Sequence, residues 1–320
     1  MHNKIWLLLL AFLMWTGCGE ESRIPEDIAA IPVTLEVHRF DRAFANAEPT
    51  DLPGLKAQYP YLFPPHYSDT VWLAKMRDTL QKELLEEVDA TFNDFESVLH
   101  DLELFYKHVL YYFPGQELPV VVTVTSDVDY NNRVILTDSL LLIGLDNYLG
   151  SDHRFYQGID RYIANGLDRQ YLISDISSAF AKKVNPSPQD RTFLARMIYY
   201  GRELYLKDLL IPGVSDEKKI GYTEEEMEWA RANEEQIWRY FIERELLYST
   251  DNQLGPRFLE PAPFSKFRLE LDNESPGRLG RFVGWQIVRA FMYRQDLSLQ
   301  QLLELPADEV FRMSNYKPKK

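Results

Sequence analysis

A single cysteine, at position 18 of 320 residues, most constrains what this chain can fold into. With no second thiol available, structural disulfides and thiolate zinc sites are both excluded, so the fold must stand on its hydrophobic core alone. The composition can supply one: hydrophobic residues make up 45% and aromatics 13%, which argues against disorder despite a net charge of -14. The same negative charge discourages binding to nucleic acid or to anionic lipid head groups.

The position of Cys18 carries a second message. Lys4 is followed by an almost wholly apolar run, Ile5 to Trp15, then by the small residues Thr16 and Gly17. Such a run is too short to span a bilayer, which needs about 20 apolar residues, but it suits the hydrophobic region of a secretory signal. The arrangement resembles the lipobox of bacterial lipoproteins, in which cleavage leaves the cysteine as the acylated N-terminus. Trp15 departs from that box, which usually carries an aliphatic residue there. The expectation is a signal peptide over 1–17, lipidation of Cys18, a tether over 18–32 and one globular domain over 33–320. Glu20, Glu21 and Ser22 resemble the acidic export signals of surface lipoproteins. The alternative is an ordinary secretory peptide or uncleaved anchor with Cys18 incidental.

Periodicity predicts an α+β, mainly helical single domain with a small sheet. Val33, Leu35 and Val37 alternate with Thr34, Glu36 and His38 as in a half-buried strand. Leu55 to Tyr67, with Pro60, Pro64 and Pro65, reads as a packed loop. One helix is expected through Trp72, Met76, Leu80, Leu84 and Val88, and another from Phe95 to Tyr112, stopped by Pro114 and Gly115. Strand-forming residues fill 120–125 and 133–144, broken by turn signals near Asp127 to Asn132 and at Thr137 to Ser139. In the second half, Ser187 and Pro188 with Asp190 open a helix through Phe193, Met197, Tyr200 and Leu204. Thr223 and Glu226 form a capping box for another helix running to Leu247. A last helix follows Ser275-Pro276-Gly277, and the four-residue spacing of Gly280 and Gly284 predicts a close helix contact rather than a phosphate loop.

Catalytic motifs are sparse. Histidines stand at 2, 38, 66, 100, 108 and 153, and no two are spaced as zinc-peptidase ligands require. Glu96, His100 and Glu103 share a helical face, an arrangement more common as solvated surface than as a metal site. Glu234 and Glu245 flank an apolar stripe where a carboxylic acid of raised pKa would sit in a glycosidase, while Arg231, Arg239 and Arg244 offer ordinary ion-pair partners. Tyr199, Tyr200 and Tyr205, with the tyrosines of 61–67, fit either a sugar- or peptide-binding groove or simple aromatic packing. There is no Gly-x-Ser-x-Gly elbow, and a nucleophilic triad is neither built nor excluded by the sequence.

Several segments in order, VHRFDRAF at 37–44, LLIGLDNYLG at 141–150, NPSPQDRTFLARMIYYGRELYLKDLLIP at 185–212, WRYFIERELLYSTD at 238–251 and SPGRLGRFVGWQIVRAFM at 275–292, resemble the gliding motility-associated lipoprotein GldB family of the Bacteroidetes. The resemblance implies a non-catalytic cell-envelope lipoprotein that faces the periplasm or the cell surface. It would support gliding motility and the associated type IX secretion machinery, with no cofactor or metal. That family is distantly similar to zincin-like proteins with an HExxH helix, which would align over 188–210. Residues 197–205 read Met-Ile-Tyr-Tyr-Gly-Arg-Glu-Leu-Tyr there, without the imidazoles, so an inherited zincin-like fold would be a degenerate one and the protein a pseudoenzyme. An envelope hydrolase acting on peptide or peptidoglycan and a glycan-binding lipoprotein are the competing readings.

Overall fold

The computed structural model describes residues 24–268 and 272–319. The signal peptide, Cys18 and the acidic residues after it lie outside the described residues. A four-stranded sheet organises the first half: β1 (Val37–Arg39), β2 (Val120–Val124), β3 (Val134–Leu136) and β4 (Leu140–Gly144), in the order β1-β2-β4-β3. β1, β2 and β4 run parallel, with Val121 opposite Leu141, and β3 closes the edge antiparallel. The alternation of side chains sends Val121, Leu141 and Ile143 into one core and Val122, Leu140 and Leu142 towards another. Both faces of the sheet are therefore covered, which explains why β2 and β4 read as continuous apolar runs.

One face carries a smaller layer. After α1 (Glu26–Ala29), it is built from α2 (Phe40–Ala45), α3 (Leu52–Gln58), α4 (Asp69–Arg77) and part of α5 (Thr79–Thr91), around Phe40, Phe44, Leu52, Tyr59, Phe63 and Met76. The proline-rich stretch expected as a loop from Leu55 is helical as far as Gln58, because Pro53 sits in the first turn, where its missing N–H is not needed. Pro60 then opens a 3-10 turn. The single helix expected through Trp72 and Val88 is two. Strict four-residue spacing drifts about 40° per step around a helix, so a long row cannot keep one face. The chain resets at Asp78, which is extended and accepts a hydrogen bond from the Gln81 amide at 2.8 Å. Leu80 is accordingly 64% exposed and not on the core face.

The other face carries the main core. Its helices are α6 (Glu96–Tyr112), α7 (Arg161–Ala164), α8 (Leu172–Val184), α9 (Phe193–Leu210), α10 (Asp216–Ile220), α11 (Glu224–Ala232), α12 (Glu234–Glu243), α13 (Leu254–Phe258), α14 (Leu279–Arg294), α15 (Leu299–Glu304) and α16 (Ala307–Ser314). α9 starts at Phe193, later than the Ser187-Pro188 signal suggests. Thr192 caps it through Ala195, and the N–H groups of Phe193 and Leu194 donate to the carbonyls of Ser249 and Leu247. The Thr223–Glu226 capping box forms as expected, at 2.8 and 3.2 Å, but its helix breaks at Asn233, whose side chain turns back to the Trp229 carbonyl. The helix after Gly277 is α14, and two more follow it. α9 and α14 cross at glycines: a Cβ on Gly284 would stand 2.0 Å from the Met197 carbonyl oxygen, and one on Gly201 would stand 2.3 Å from that of Gly284.

Candidate functional site

Among the described residues the densest polar chemistry lies along the C-terminal half of α9, where Arg202, Glu203 and Lys207 are all buried. Burial of charge is costly unless every group is paired, so such a cluster is either a brace or a site. Arg289 of α14 grips two carboxylates at once. Its Nε and Nη2 donate to Asp208 at 2.7 Å each, and Nη1 and Nη2 donate to Asp216 at 2.9 and 2.7 Å. The guanidinium lies 3.7 Å from the Trp285 ring centroid, and Trp285 Nε1 donates to Asp208 at 2.8 Å. Lys219 reaches Asp208 at 3.0 Å and Arg231 reaches Asp216 at 2.9 Å. Burial alone would raise the Asp216 pKa, but the hydrogen bonds and charge of Arg289 outweigh it and hold it low. Burial likewise opposes the charge on Arg289, and its two carboxylates overcome that and raise its pKa.

Beside this clamp, Lys207 Nζ stands 3.0 Å from Ser174 Oγ of α8 and 2.6 Å from the Lys219 carbonyl. Burial pushes the Lys207 pKa down to about 8, against the opposing charges of Glu203 and Asp175. A serine and a lysine of lowered pKa at this separation have the spacing of a nucleophile and its base. The hydrogen bonding runs the wrong way for that chemistry. Ser174 donates its own proton to the Lys218 carbonyl at 2.9 Å, while the lysine donates to Ser174, and both side chains are buried. The pair cross-links α8, α9 and α10.

A cleft of about 280 Å³ opens next to it, lined by Asp101, Arg169, Ser215 and Lys218. Burial raises the Asp101 pKa, partly offset by His100 and Arg169. Arg169 is already spent on the carbonyls of Thr91 and Asp94 and the Ser97 hydroxyl, and Ser215 donates to Glu217. The cleft has a charged rim, of which Arg169 is held by protein partners.

The residues singled out in the sequence fall elsewhere. Glu96 and His100 are exposed and Glu103 is half-buried on the outer face of α6, and no described cluster of histidine, cysteine, aspartate or glutamate is placed to hold a metal. Glu234 is buried, but it accepts from the Tyr316 hydroxyl at 2.8 Å and the Lys319 amide at 3.2 Å, and not from the arginines expected as its partners. Glu245 is exposed, so the two carboxylates form no pair. Arg239 bonds Glu235, Arg231 bonds Asp216, and Arg244 lies over the Tyr240 ring. Tyr199, Tyr200 and Tyr205 are half-buried along α9, with Arg281 stacked 3.8 Å over Tyr200. Tyr61 and Tyr67 belong to the layer across the sheet, so the tyrosines line no common groove. Gly280 and Gly284 make the close helix contact that their spacing predicts, against Phe258 and Met197.

The Asp208–Arg289 clamp escaped the sequence reading. Its one sequence signal was the run Leu204 to Leu210, in which Lys207 and Asp208 sit between leucines on a helix with no wide polar face.

No curated protein and no solved structure gives a significant match to this sequence. One family model, described as gliding motility protein GldB, matches residues 21–318. With nearly the whole chain covered, the protein belongs to the GldB family of gliding motility proteins.

Proposed function

We propose that this protein is a non-catalytic, lipid-anchored component of the cell envelope that supports gliding motility and the associated type IX secretion machinery. The family match over residues 21–318 carries the reading. The Ser174–Lys207 pair and the Asp208–Arg289 clamp support it, because each of their hydrogen bonds joins helices to one another. Among the described residues no helix is long and apolar enough to cross a membrane, which accords with attachment through an acylated Cys18. The partners would be the envelope through the lipid and proteins of the motility apparatus through the folded domain.

Cross-linked co-purification from membranes, run on the native protein and on Cys18→Ala, tests both halves. The native protein should fractionate with membranes and bring down motility or secretion proteins, and the variant should be lost from the membrane fraction. A deletion strain that spreads normally on surfaces would sink the motility role, and hydrolysis of peptide or peptidoglycan by the purified protein would sink the non-catalytic one.

A further inference from the structure

We propose that the end of the molecule where α1 packs against the last turns of α6 faces a zwitterionic lipid surface, with Ile24 and Tyr111 at head-group level. The inference rests on the acylation of Cys18 proposed above and adds an orientation to it. Residues 19–23 are all that separate Cys18 from Ile24. Fully extended, that link spans at most about 20 Å. A globular body of this length has a radius of gyration of about 19 Å and is roughly 50 Å across. A link shorter than half that width leaves the body no freedom to turn its far side to the bilayer. The surface around the point where the chain leaves must lie next to the membrane.

That point is fixed. Within the stretch read from sequence as tether, Glu26–Ala29 forms a helical turn whose Ile28 is buried, and the Ala29 carbonyl accepts from Lys107 Nζ of α6 at 2.8 Å. Asp27 lies against the Tyr111 hydroxyl one turn further along α6, raising its pKa by hydrogen bond and charge. The anchor therefore pulls on the C-terminal end of α6 and not on a loose leader.

The chemistry of this end suits an interface. Ile24 and Tyr111 are 38% and 44% exposed, and Tyr112, edge-on to Tyr111, is half-buried. Tyrosine, with an apolar ring and a polar tip, is enriched where hydrocarbon meets water. Glu26 and Asp27 are exposed on the same turn, Lys107 is held by a carbonyl, and the chain carries a net charge of -14, so anionic head groups would be repelled and zwitterionic ones accepted.

Acylation of the only cysteine leaves the chain free to carry one reporter thiol. Tyr111→Cys and, across the sheet, Tyr67→Cys can be labelled with a fluorophore in the acylated full-length protein. Each is then bound to phosphatidylcholine–phosphatidylethanolamine vesicles containing a head-group nitroxide lipid. Quenching should be several-fold stronger at 111 than at 67. Ile24→Cys, two residues before α1, gives the same readout if the first variant folds poorly. Equal quenching at both sites, or stronger quenching at 67, on protein that floats with the vesicles overturns the orientation and leaves the anchor standing. Native protein that fails to float overturns both.

Discussion

Gly284 shows how one absent side chain sets a helix crossing. Its Cα meets the Met197 backbone where a Cβ would stand 2.0 Å from the carbonyl oxygen, and main chain cannot rotate aside as a side chain can. Gly284→Ala must therefore push α9 and α14 apart, and overpacking of this kind costs about 1–3 kcal/mol or more. A lower urea midpoint with an unchanged slope would confirm it. Gly54 is the matched opposite. It lies in α3 with nothing within 4 Å of its missing Cβ, so Gly54→Ala should stabilise the protein by about 0.4–1 kcal/mol through the unfolded chain. Lys207 makes a different demand on a single residue. Its folded pKa, about 8, lies below its ordinary value of 10.5, so between those values the unfolded chain binds more protons than the folded one. Stability contributed by Lys207 then rises as pH climbs from about 8 towards 10, above which unfolded tyrosines begin to ionise and oppose it. Thermal melts of the native protein against Lys207→Met should show the difference between them shift in favour of the native protein over that window. A pH-independent difference would rule out a depressed lysine.

Helix ends were the least legible elements, and Asp78 shows why. An aspartate reads equally well as exposed helix surface and as a cap, and only the burial of Gln81 and Leu84 on one side and Met76 on the other selects the break. Asp78→Ala should cost about 1 kcal/mol, read as a lower midpoint in denaturant, because the Gln81 amide loses its acceptor. α9 poses the same ambiguity. Ser187 and Thr192 are both cap-like within a short polar stretch, and the choice falls to Thr192 because the carbonyls of Leu247 and Ser249 wait for the first two helical N–H groups. No local signal carries that information. Where the deciding contact was local, the sequence sufficed: the Thr223–Glu226 box, the stop at Pro114 and Gly115, the turn at 137–139 between β3 and β4, and the glycine spacing of α14 all stand in the structure. The Asp208–Arg289 clamp joins residues far apart in sequence, whereas α15 carries a Ser298–Gln301 capping box as local as the Thr223–Glu226 one and was legible by the same rule.

At the scale of the whole molecule, the sheet separates two layers of unequal strength. On one side α9 and α14 are long, cross at backbone distance and share the clamp of Arg289. On the other, α2, α3 and α4 have 6, 7 and 9 residues, too short to persist without their contacts. Regions with weaker packing open at lower free energy than the global transition. Native-state hydrogen exchange should therefore find the amides of α2–α4 exchanging through a local opening, and those of α9 and α14 only through global unfolding. Gly284→Ala supplies the decisive comparison. It should speed exchange in α9 and α14 by the factor its global destabilisation dictates, while leaving α4 unchanged. Equal acceleration in all three helices would mean that the sheet couples its two faces into a single cooperative unit.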